Sequence, residues 1–166
     1  FRYPLLYTFL FVPSEKSGRP KRKNLLKNMV NIKDFNKKDT ILVISDYPEH
    51  GQKGEKNYGI AWYTKTLIVP MSKRYNARFV VLAEKIQGDN RPKIYENGKI
   101  LVLRIFDQKH PSLFPIILRR LFKFNKVKYV QVHSEFHVNG GLKNFMLLLP
   151  FIGIIKITGK HITYFS

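Results

Sequence analysis

Two short stretches of the 166-residue chain hold residue types that do chemistry. The first is Lys56-Asn-Tyr58-Gly59-Ile-Ala61, where a polar loop runs into a helix start. Free backbone N–H groups and the positive end of the helix dipole suit such a corner to a phosphate or a sugar hydroxyl. Glycine allows close approach to the main chain, yet Gly51, Gly54 and Gly59 match neither a dinucleotide fingerprint nor a P-loop. Spacing alone therefore favours Gly59 as a simple corner residue. The second stretch is His133-Ser-Glu135-Phe-His137-Val-Asn-Gly140-Gly141. On a strand, His133, Glu135 and His137 would project to one side by the period of two. Alternation strings them along a line and not around a point, so no metal site is assigned. Substrate contact by His133 and Glu135 and a merely satisfied polar strand end are equal readings at this stage.

The elements that must position these residues begin near Asp39. Thr40–Ser45 is a continuous β-branched run, as expected of a strand covered on both faces. Pro48, Gly51 and Gly54 mark a loop, and Gly59 opens a helix through Ile60, Tyr63, Leu67 and Met71 that Pro70 should kink or end. Further strands are expected at Arg78–Ala83, Lys99–Arg104 (after an Asn97-Gly98 turn), Val127–His133 and His161–Phe165. Helices are expected over Pro111–Phe124 and Leu142–Ile155. Strands alternating with helices imply right-handed βαβ units and a mainly parallel, Rossmann-like α/β sheet with helices on both faces. Such a sheet binds ligands at the carboxyl ends of its strands, near the switch in strand order. The turns after Ser45 and after Val132 should then meet in one crevice.

Composition narrows the partners. Hydrophobic residues at 44% and aromatics at 14% indicate a globular chain, and the lack of cysteine excludes disulfides and thiolate chemistry. Thirty basic residues against eleven acidic ones give +19, a field that attracts anions. Residues 1–38 form a basic, aromatic leader, read as disordered or membrane-proximal; residues 39–166 form the α/β unit. The apolar opening from Phe1 to Val12 is shorter than the roughly 20 residues of a spanning helix.

The order of segments resembles the N-terminal domain of family 4 glycosyltransferases, retaining enzymes of the GT-B type. Four stretches carry the likeness: Ile41–Pro48, Tyr58-Gly59-Ile-Ala-Trp-Tyr-Thr64, Glu96–Arg104, and Val130–Phe136 with Gly140-Gly141. The resemblance implies one half of a GT-B fold, with the acceptor bound here and the nucleotide-sugar donor on a C-terminal domain outside this chain. It implies substrate contacts at Tyr58, Gly59, His133, Glu135, Gly140 and Gly141, and no metal or other cofactor beyond the nucleotide sugar as co-substrate. Two positions depart from the pattern. Tyr58 replaces the first of a Gly-Gly pair, and Phe165 stands where the family has a donor-contacting histidine.

The expected activity is hexose transfer from a nucleotide sugar to a lipid-linked or polysaccharide acceptor. This chain alone should be incomplete and inactive, and no catalytic residue is assigned. The expected location is cytoplasmic, peripheral at the inner face of the cell membrane, where the basic surface meets anionic lipid. The competing reading is a non-catalytic basic α/β module, either a degenerate transferase half or a polyanion-binding scaffold. No signature of specific nucleic-acid binding accompanies the charge.

Overall fold

The computed structural model describes residues 31–48, 58–86, 88, 90–107, 110, 113–133 and 142–165. The core is a six-stranded sheet. Its strands are β1 (Thr40–Ile44), β2 (Arg78–Glu84), β3 (Lys93–Tyr95), β4 (Ile100–Phe106), β5 (Tyr129–His133) and β6 (His161–Phe165). They lie in the order β3-β4-β2-β1-β5-β6. Every neighbouring pair is parallel except β3 with β4. The central strands are long apolar runs because both of their faces are covered. On one face Val43, Val81 and Val102 pack with Ile68 of helix α1 (Tyr58–Arg74). On the other, Leu42, Val80, Leu101 and Val130 pack with helices α2 (Leu113–Lys123) and α3 (Leu142–Ile157). The expected Rossmann-like architecture, with helices on both faces, is the one observed.

From β1 the chain steps outward to β2 and β4, then crosses back to β5 and on to β6. The direction of winding therefore reverses between β1 and β5. That boundary is the switch point of the sheet, the place where α/β sheets of this kind bind ligands at the carboxyl ends of the strands.

Three expectations need correction. First, helices do not alternate with every strand. β2 and β4 are joined through the edge strand β3, which runs antiparallel to β4. The Asn97-Gly98 turn is real: φ is 52° at Asn97 and 87° at Gly98, and the Lys99 N–H donates to the Glu96 carbonyl. Two positive central φ values make the tight hairpin turn that matches strand twist, and they explain the asparagine and glycine there. The last strand is consequently the sixth and not the fifth.

Second, of the two outcomes expected at Pro70, a kink or an end, the end is overturned: α1 runs through it to Arg74. Third, of Ile60, Tyr63, Leu67 and Met71, the apolar residues that mark the expected helix, only Ile60 is buried, and Tyr63 is exposed. The buried face carries Ile60, Ala61, Thr64, Ile68 and Ser72. Small hydroxyl residues fill a helix face that apolar spacing alone would assign to larger side chains. Ser72 satisfies its hydroxyl on the Val69 carbonyl at 2.8 Å, the local back-bonding open to a buried helical serine. Thr64 does something else.

Candidate functional site at the switch point

β1 and β5 lie side by side with Ile44 opposite Val132. Ser45, just past β1, and His133, the last residue of β5, therefore emerge together at the carboxyl edge. Val130 and Val132 point into the α2–α3 core, so alternation turns His133 toward α1. Thr64 meets it there. Ser45 Oγ lies 2.6 Å from Thr64 Oγ1, which lies 3.0 Å from His133 Nδ1. All three residues are buried, Thr64 completely.

The imidazole is walled by aromatic rings. Tyr63 meets it near edge-on at 5.6 Å between centroids, and Phe165 meets it at 5.1 Å and 90°. Its second nitrogen, Nε2, is buried and has no hydrogen-bond partner among the described residues. An unpaired buried polar group costs about 1–3 kcal/mol, so its persistence needs a reason. A ligand atom at that position would supply one. Burial also pushes the His133 pKa down to about 4. With no compensating charge among the described residues, the ring is neutral at physiological pH and can exchange hydrogen bonds but not carry a fixed positive charge.

The sequence-derived site residues fare unequally. His133 is at the centre of the site. Gly59 lies exposed in the first turn of α1, five residues before Thr64, or about 7.5 Å along the axis at 1.5 Å per residue. Tyr58 opens that helix, with its side chain outside the described atoms. Glu135, Gly140 and Gly141 lie outside the described residues, as does His137. Phe165 belongs to the site as well: its ring covers the His133 imidazole. Ser45 and Thr64 are the functional side chains that sequence reasoning missed. An i, i+4 count from Ile60 through Thr64 to Ile68 would have placed Thr64 on the buried face.

A second polar cluster occupies the carboxyl edge beside β4. Buried Arg104 donates to the Tyr47 carbonyl at 2.7 Å and to the Glu84 carbonyl at 3.1 Å. Burial lowers its pKa, while Tyr95, Asp46 and Glu84 act to hold its charge. Asp46 in turn accepts from the Glu84 backbone N–H at 3.3 Å. The cluster ties the chain leaving β1 to β2 and β4. Tyr47 packs against Tyr95 at 5.3 Å, and its buried hydroxyl has no hydrogen-bond partner among the described residues. A shallow hollow at Lys156, Gly159, Lys160 and His161 lies at the opposite end of β6, remote from His133.

Among the described residues, no group of three or more His, Asp or Glu side chains is placed to hold a metal ion, and no helix is long and apolar enough to cross a membrane. No protein-family model matches the chain, and no curated protein or solved structure matches it either.

Proposed function

We propose that this chain is the acceptor-side half of a hexosyltransferase and that the β1–β5 crevice receives the acceptor. The observation carrying this reading is His133. It is a neutral imidazole at the switch point, held by a threonine hydroxyl, walled by aromatic rings, and left with one unpaired nitrogen. Apolar walls with a few fixed polar groups are what a small-molecule site presents, and a sugar offers both apolar C–H faces and oxygens. The donor nucleotide sugar would be held by a second domain. Support for docking at a lipid surface comes from α3, whose Met146, Leu149 and Ile157 are exposed, together with the basic excess of the chain. An apolar face within a cationic protein suits an anionic membrane.

Affinity at rising salt tests this reading. A water-soluble, short-chain lipid-linked sugar should bind saturably and lose little affinity between low and physiological salt. A heparin fragment of matched charge should weaken steeply as counterions screen it. Equal affinity for both ligands with the same steep salt dependence would leave a polyanion-binding scaffold instead.

A further inference from the structure

The hydrogen-bond chain from Ser45 through Thr64 to His133 has a direction, and the direction decides what the site can bind. Ser45 Oγ and Thr64 Oγ1 each carry one hydrogen, and a neutral imidazole has one N–H and one bare nitrogen. Among the described residues the bonds of Ser45 Oγ end at Thr64. Suppose Ser45 donates to Thr64 and Thr64 donates to Nδ1. Both hydroxyl hydrogens are then used, and one group is left unmet: an Nε2–H. In the reverse direction, Nδ1–H donates to Thr64 and Thr64 donates to Ser45. The Ser45 hydrogen then lacks an acceptor and the Nε2 lone pair lacks a donor. Two unmet groups in a buried site cost more than one, at about 1–3 kcal/mol each.

We propose that Ser45 and Thr64 are positioning residues that hold His133 as the Nε2–H tautomer, making it a neutral hydrogen-bond donor to an accepting oxygen of the ligand. His133 is thus no general base in its resting state, because Nε2, the nitrogen without a partner among the described residues, already holds its proton. The ligand class is one that presents an oxygen lone pair at the carboxyl edge of β5, such as a phosphoryl, carbonyl or ring oxygen. A donor-only group, such as an ammonium, is rejected. The low pKa keeps the ring uncharged across the physiological range, so the donor is present without a change of state. This inference deepens the sugar-acceptor reading and relies on it only for the source of the oxygen.

Long-range proton–nitrogen NMR of the full chain with labelled histidine tests it without ligand. The His133 signals are identified by their loss in His133→Gln. In the wild-type protein Nδ1 should resonate as a bare nitrogen and Nε2 as a protonated one. Thr64→Val should replace this pattern by an average of the two tautomers, and Thr64→Ser should restore it. A protonated Nδ1 in the wild-type chain would overturn the proposal, as would an unaltered pattern in a folded Thr64→Val. The wild-type spectrum decides by itself should Thr64→Val fail to fold. Because the tautomer is read on the free protein, its failure is separable from failure of the acceptor reading, which is measured by affinity.

Discussion

Arg104 and His133 are both buried bases at the carboxyl edge of the sheet, on either side of β1, and burial treats them differently. Arg104 keeps company with Asp46, Glu84 and Tyr95, and it donates to two backbone carbonyls. His133 meets one hydroxyl and aromatic rings, and burial pushes its pKa down. The first region directs its polar groups inward and acts as a brace for the Asp46-Tyr47 segment. The second leaves a buried nitrogen without a partner among the described residues. A buried base beside countercharge is held in its charged form, whereas one beside neutral groups is pushed toward its neutral form.

The strongest way to break this contrast is to remove the brace. Arg104→Met takes away the charge that Asp46 and Glu84 face and two hydrogen bonds, and breaking one side of a buried ionic cluster costs about 3–5 kcal/mol. Urea unfolding should register that loss as a lower midpoint. A loss below 1 kcal/mol would mean that Arg104 braces nothing.

Next in size is the pH dependence owed to His133. The unfolded chain has the ordinary histidine pKa of 6.5 and the folded one about 4. Between those values the unfolded state binds more protons, so stability is complete above pH 6.5 and falls as pH drops toward 4. The total contribution is up to about 3 kcal/mol, taking 1.36 kcal/mol per pKa unit. His133→Gln should flatten this part of the stability–pH curve. Identical slopes in the two proteins would show that the ring is not buried as a neutral base.

Thr64→Val removes the link between Ser45 and His133 while keeping the shape of the side chain. It should cost about 1–3 kcal/mol, measured as a lower Tm, because both partners stay buried. The smallest effect belongs to the surface. Lys73 pairs with Glu96 at 3.2 Å, but the lysine is well exposed, and Lys73→Ala should cost about 0.2–1 kcal/mol, vanishing in high salt.

Much of the scaffold was legible in the chain because parallel strands buried on both faces must be unbroken apolar runs. Thr40-Ile-Leu-Val-Ile44 and Arg78-Phe-Val-Val-Leu-Ala-Glu84 could hardly be anything else. β3 was not legible, since Lys93-Ile-Tyr95 is three residues with a lysine in an edge position. Its existence depends on a partner strand and a turn and not on its own pattern. His133 could be found from its place at a strand end. Ser45 and Thr64 could not be found by hydropathy, because a buried hydroxyl looks polar in sequence and becomes core only once the helix face is fixed. Phe165 was noticed as a departure from a family pattern, but its contact with His133 depends on the β5–β6 register that sets the two residues opposite each other.

On the proposed function, His133 Nε2, buried and without a partner among the described residues, is the ligand contact at the switch point. Histidine NMR during titration with the short-chain lipid-linked sugar addresses it directly, since the exposed His161, stacked on Tyr129 at the far end of β6, serves as an internal control. The His133 ring signals should move saturably with ligand while those of His161 stay still. Movement of His161 alone, or a still His133 when binding is complete, would contradict the claim.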